Sequence, residues 1–170
     1  YQLLKHRPDL DIVPIRGNIE TRIRKIEDEN LCGVILAAAG LIRAGLKDKI
    51  SCYLDVDKII PAPAQGALGI EIRQEDPEVE KILECLTDKV SEIQVSAERG
   101  FLDGINGSCH IPIGAHCEVN GENINLTGLY GDEEGKKLIT KTISGKASEA
   151  REVGIELAKL ISKEFKSYER

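Results

Sequence analysis

Methionine and tryptophan are absent from the 170 residues, and only two phenylalanines and four tyrosines are present. The core must therefore be built from Ile, Leu, Val and Ala. With no methionine the chain lacks an initiator of its own, and its first residues, Tyr-Gln-Leu-Leu-Lys-His-Arg, read as the last turn of a helix stopped before Pro8. That start suggests the middle of a protein, and no signal peptide is in view. No apolar run approaches the roughly 20 residues that span a bilayer. The longest, Val34–Gly40, has the length of a strand or short helix, so no membrane partner is expected. An excess of positive charge is also missing. Lys+Arg number 23 against 29 Asp+Glu, a formal net charge of −6. With so few stacking rings, this balance argues against nucleic-acid binding. Finally, no C-x-x-C occurs among Cys32, Cys52, Cys85, Cys109 and Cys117. An odd number of unpatterned cysteines favours free thiols in a reducing, cytoplasmic setting over a disulfide framework.

The length fits one good-sized domain or two small ones. Leu10–Ile15 reads as a short strand after the Pro8-Asp9 turn. Arg16-Gly17-Asn18 is a turn whose Asn18 can cap a helix carrying Ile19, Ile23 and Ile26. Gly33–Gly40 is apolar on both faces, as a buried parallel strand would be, and leads into a helix ending near Gly45. This strand–helix–strand order suggests α/β layering. Pro61 and Pro63 stiffen an extended connector, the candidate domain crossing. Ala67–Arg73 then alternates as a strand. Asp76-Pro77 opens a helix to about Leu86, and a second covers about Asp88–Ile105. The tail differs in kind. Strand Ile113–Val119, a hairpin signal at Asn120-Gly121, strand Asn123–Tyr130, a turn at Gly131–Gly135, strand Lys137–Ile143 and helix Ala147–Phe165 make a small α+β domain.

Three groups of residues can carry chemistry. The first is Arg16, Arg22, Arg24, Lys25 and Arg43. In an open α/β sheet the carboxyl ends of strands face the ligand crevice, and both predicted strands of residues 10–40 hand over to Arg-bearing segments there. Arginine forks pair bidentately with carboxylate or phosphate, so a pocket for a small polyanion follows. Arg24 and Lys25 read as solvated surface charges, Arg16 and Arg43 less so. The second is Ala64-Gln65-Gly66-Ala67-Leu68-Gly69. It lacks the Lys-Ser/Thr ending of a phosphate loop and reads as a structural hinge. The third is Gly107-Ser108-Cys109-His110-Ile111-Pro112-Ile113-Gly114. Here Cys109 can be a nucleophile, a metal ligand, a covalent attachment point or an ordinary buried loop residue. With His110, His116 and Cys117 it could hold zinc. The spacing is not that of a standard finger, and in a strand Cys117 points away from the face of His116.

Taken in order, several stretches resemble the porphobilinogen deaminases, also called hydroxymethylbilane synthases. They are Arg-Pro-Asp-Leu (7–10), Ile-Arg-Gly-Asn-Ile-Glu-Thr-Arg (15–22), Ile-Leu-Ala-Ala-Ala-Gly-Leu-Ile-Arg-Ala-Gly-Leu (35–46), Pro-Ala-Gln-Gly-Ala-Leu-Gly-Ile-Glu (63–71), Ala-Glu-Arg-Gly-Phe-Leu (97–102) and Gly-Ser-Cys-His-Ile-Pro-Ile-Gly (107–114). The resemblance covers essentially the whole chain. It implies a transferase of tetrapyrrole and heme biosynthesis that condenses four porphobilinogens into hydroxymethylbilane, releasing ammonia at each addition. The chain grows on a dipyrromethane cofactor held by a thioether to the loop cysteine, which maps onto Cys109. Cofactor-binding arginines map onto Arg16, Arg22 and Arg43, with Gly17, Asn18 and Gln65 beside them, and no metal is implied.

The resemblance also implies a fold: part of a doubly wound, periplasmic-binding-protein-like α/β domain, then a small α+β domain with a three-stranded antiparallel sheet. Residues 1–60 match most of the family's second domain. Residues 61–86 match a strand and helix returning to its first domain, and 87–170 match the third, cofactor-bearing one. Gly107-Ser108 stands where members often have Gly-Gly. No acid here matches the family's catalytic Asp, which lies in a segment upstream of Tyr1. The expectation is a C-terminal fragment, inactive alone and unmodified at Cys109, whose partner is the missing N-terminal domain. The full-length protein is expected to be a monomer, and the fragment to self-associate through the edge of 67–73. The alternative is a non-enzymatic zinc- or anion-binding module.

Overall fold

The computed structural model describes residues 1–105 and 111–167. They divide into two compact units, Gln2–Asp55 and Val56–Arg170, the second also holding Tyr1.

In the first unit, α1 (Gln2–His6) ends ahead of Pro8, and α2 (Ile19–Asp28) begins where Asn18 caps it. The Asn18 Oδ1 accepts the Thr21 N–H at 2.8 Å, satisfying one of the donors that a helix start leaves unpaired. Gly17 precedes the cap at φ 124°, and a Cβ there would meet the Thr21 methyl at 2.8 Å. Both the backbone angle and the space call for glycine. α3 (Ala38–Arg43) is short and ends at Ala44. Gly40 on α3 lies against Ile19 at the first turn of α2, where an added Cβ would meet Ile19 Cδ1 at 2.9 Å.

Three expected strands do not form. Residues 10–15, 33–37 and 67–73 are in no ladder, and Ala38–Gly40 belongs to α3 instead. Apolar β-branched runs favour an extended backbone, but a strand exists only when a neighbour takes up its N–H and C=O groups. None of the described residues lies alongside these segments as a partner. Ile12, Ile35, Leu68 and Ile70 are accordingly exposed.

The second unit forms as the tail pattern requires. α4 (Pro77–Leu83) is capped by Asp76, with Pro77 in the first turn, and continues as a 3-10 turn over Glu84–Leu86. Asp88 accepts the Ser91 N–H at 2.7 Å at the head of α5 (Lys89–Ile105). Strands β1 (Ile113–Asn120), β2 (Asn123–Gly131) and β3 (Leu138–Lys146) make an antiparallel meander in the order β1-β2-β3. Asn120 pairs with Asn123, so the hairpin loop is Gly121-Glu122, one residue later than the Asn-Gly signal. Gly121 at φ 65° takes the first loop position, as a II′ turn prefers. A 3-10 turn over Ala147–Glu149 opens α6 (Ala150–Ser167).

Both long helices pack on one face of the sheet. Ala115, Cys117, Ile124 and Leu126 face inward against Ala97, Phe101, Leu157 and Ile161, while His116, Glu118, Asn125 and Thr127 point away, the period-two alternation of a half-covered sheet. Ala115 pairs with Gly128, and the Phe101 ring occupies the space left at Gly128, where a Cβ would meet it at 2.8 Å. The helices touch backbone to backbone: a Cβ on Gly154 would meet the Phe101 nitrogen at 2.5 Å, and one on Gly104 the Ala158 methyl at 2.7 Å.

Candidate functional site

Three arginines of the first unit lie close in sequence to the Ile19–Gly40 contact. Arg16 and Arg22 lie three residues either side of Ile19, and Arg43 lies three residues beyond Gly40. Gly40 lies against Ile19, Arg22 is on α2 and Arg43 is the last residue of α3, while Arg16 lies in the segment before the Asn18 cap. The Arg22 Nε–H donates to the Gly17 carbonyl at 2.7 Å, which anchors one edge of its fork and leaves the other N–H groups for a ligand. Among the described residues, Arg16, Arg22 and Arg43 have no carboxylate partner. Arg24 pairs with Asp28 at 3.5 Å and Lys25 with Glu29 at 2.8 Å, each four residues along α2. Those two cations are spent on their own helix, as solvated surface charges are. Asn18 caps the helix that carries Arg22.

Gln65 belongs to the second unit. It sits exposed in the turn Pro63–Gly66, its N–H donating to Ala62 O at 2.9 Å. Ala64 and Gly66 flank it at φ 61° and 88°. The connector runs along the outer edge of β1: the Ala115 N–H donates to Pro61 O at 2.9 Å. Gly114 allows that approach, since a Cβ there would stand 3.0 Å from the Ile60 carbonyl oxygen. Glu98, buried on α5, accepts the Ala64 N–H at 2.7 Å and the Cys117 N–H at 2.9 Å. The Gln94 side-chain amide donates to Cys117 O at 2.8 Å. This group was missed from sequence. Its signal was a charged residue on the apolar stripe of α5, three before Phe101 and seven before Ile105.

Cys109 and His110 lie outside the described residues. Cys117 is a core residue with no exposed surface, and burial, with Glu98 and Glu118 nearby, pushes its thiol up to about 12. A metal ligand needs the opposite, an accessible thiolate. His116 stands on the outer face with Glu118 Oε1 at 3.8 Å. No group of three metal-ligating side chains occurs among the described residues. Nor is any of their helices long and apolar enough to cross a membrane.

Comparison with known proteins divides the chain farther along, between residues 81 and 92 rather than at 55. Residues 1–81 match the family model described as porphobilinogen deaminase, dipyromethane cofactor binding domain, and residues 92–163 match that of the porphobilinogen deaminase C-terminal domain. The chain belongs to the porphobilinogen deaminase family. Similar relatives include the porphobilinogen deaminases of Clostridioides difficile (strain 630), 63% identical over 99% of this chain, and of Clostridium novyi (strain NT), 53% identical over 97%. That of Geotalea uraniireducens (strain Rf4) is 47% identical over 96%. The chain spans 56% of the length of the first two and 51% of the third. Arg16, Arg22, Arg43 and Gln65 fall within the first match, and Glu98 and Cys109 within the second.

Proposed function

We propose that the protein carrying this chain is a hydroxymethylbilane synthase, joining four porphobilinogens into a linear tetrapyrrole with loss of one ammonia per addition. The observation that carries this reading is the set Arg16, Arg22 and Arg43. These are three arginines on or beside the two helices that meet at Ile19 and Gly40, with no carboxylate partner among the described residues, in a chain 63% identical to a porphobilinogen deaminase. Porphobilinogen and its oligomers bear acetate and propionate groups, and arginine forks bind carboxylates bidentately. The donor set therefore suits a dipyrromethane, which would supply the primer for chain growth from a thioether at Cys109. Arg22, its Nε tied to Gly17, is set to hold a carboxylate in fixed orientation. No acid of this chain matches the family's catalytic Asp, so proton transfer at the departing amine falls to a segment beyond these residues.

In the complete protein, residues 1–60 belong to a doubly wound α/β domain in which 10–15 and 33–37 find their sheet neighbours. Residues 67–73 likewise pair in the first domain. The free thiols fit a cytoplasmic enzyme, monomeric when complete. Intact mass of the complete protein tests the assignment. A covalent dipyrromethane is expected, lost in Cys109→Ser because an alcohol is a far poorer nucleophile than a thiolate near neutral pH. Covalent pyrrole retained in Cys109→Ser overturns the assignment, as does a complete protein that releases no ammonia from porphobilinogen.

A further inference from the structure

We propose that Glu98 is a positioning residue that acts through Gln65, holding the Pro63–Gly66 turn in the one shape that aims the Gln65 side chain at a pyrrole substrate. The inference rests on the functional reading above for the substrate. The clamp itself rests on geometry alone.

A carboxylate in the interior needs partners, and among the described residues those of Glu98 are two backbone N–H groups rather than a cation. One oxygen takes Ala64 in the connector at 2.7 Å, and the other takes Cys117 in β1 at 2.9 Å. One side chain thus ties α5, the edge strand and the turn together. The turn needs such a tie. Ala64 sits at φ 61°, a left-handed conformation that a residue with a Cβ avoids unless its surroundings impose it. The carboxylate engages that residue, directly before Gln65. Gln65 is exposed, so nothing in its own packing fixes it, and its orientation is inherited from Ala64. An amide at position 98 has a single acceptor oxygen and sets an N–H donor against one of the two backbone N–H groups. Glu98→Gln therefore loosens one arm while keeping size and shape.

The test uses the complete protein and porphobilinogen. Hydrogen exchange read by NMR should show slow amides at Ala64 and Cys117, and faster exchange at Ala64 in Glu98→Gln. Glu98→Gln should lower kcat/KM by about tenfold or more, the loss expected for an oriented, charge-assisted hydrogen bond. In a double-mutant cycle, Glu98→Gln with Gln65→Ala should be no worse than Gln65→Ala alone, because both remove the same function. If Glu98→Gln does not fold, Glu98→Asp, one methylene too short to span both donors, takes its place in the cycle. Fast exchange at Ala64 in the unaltered protein overturns the clamp. Additive losses in the cycle, or a Gln65→Ala variant with full activity, overturn the positioning role. A complete protein that does not consume porphobilinogen would overturn the functional reading instead, with the exchange result still deciding the clamp.

Discussion

At the residue scale, charge and burial sort like from like. Arg24 and Lys25, read from sequence as solvated surface charges, pair with Asp28 and Glu29 four residues on. Replacing Arg16, Arg22 or Arg43 with Leu in the complete protein should cost about 2–5 kcal/mol of ligand binding, the range for truncating one partner of a desolvated charge pair. Arg24→Leu should cost less than about 1 kcal/mol, as exposed i,i+4 pairs do. Porphobilinogen kinetics of the four variants check the ordering, and equal losses at Arg22 and Arg24 would misplace the site. The cysteines divide in the same way. Cys32, Cys52 and Cys85 are exposed and Cys117 is buried, so iodoacetamide should label the first three in the native state and Cys117 only after unfolding. The Cys117 thiol also predicts an alkaline effect. Below its ordinary value of 9.0 it is neutral folded or unfolded, so its contribution is constant. Between 9.0 and about 12 only the unfolded chain ionises, so stability falls as pH rises through that window. The slope is at most about 1.4 kcal/mol per pH unit. Denaturant melts of Cys117→Ala, which lacks the thiol, should show a shallower alkaline decline than the parent.

At the element scale, the α5–α6 contact depends on atoms that are not there. Gly154 lies on the α5 backbone at Ala97 and Phe101, and Gly100 lies on the α6 backbone at Arg151. Backbone cannot step aside as a flexible side chain can. Gly154→Ala should therefore destabilise the unit by about 1–3 kcal/mol, despite the better helix propensity of alanine. Thermal unfolding measures it, and an unchanged or raised Tm would mean that the helices sit farther apart. The caps behave more simply. Asn18→Ala should cost about 0.5–2 kcal/mol of local stability, read as faster amide exchange in the first turn of α2. Caps were legible in sequence because cap and capped N–H lie three residues apart. The three missing strands were not, because alternation reports an extended, apolar segment and says nothing about which chain lies beside it. The helix-on-helix glycines were invisible for a related reason: a glycine within a helix reads as a defect until its neighbour is known.

At the scale of the whole molecule, the 170 residues cover little more than half of their relatives' length. By themselves they hold the three arginines and Cys109, and on the proposed reading none of their acids matches the family's catalytic Asp. The purified 170-residue chain is expected to release no ammonia from porphobilinogen, and turnover above the no-protein rate would show that general acid catalysis is supplied from within. Leu68 and Ile70 are 79% and 59% exposed on an unpaired extended segment, an edge that invites another strand. The same chain should therefore self-associate. Sedimentation should show the association weakened by Leu68→Lys with Ile70→Glu, charges that blunt an edge. A chain that stays monomeric at high concentration would show the segment to be adequately solvated.

Local chemistry settled what could be decided within a few residues. Helix starts at Asn18, Asp76 and Asp88, the glycine hairpin, the alternation of β1 and β2 and the ordered motifs of the family all depend on near neighbours. Tertiary structure decided what depends on distant ones. The two oxygens of Glu98 reach residues 34 and 19 positions away. Cys117 became a core residue only when α5 and α6 covered it, and α2 and α3 were joined by the contact of Gly40 with Ile19. Each of these is a coincidence in space between segments whose separation along the chain carries no trace of it.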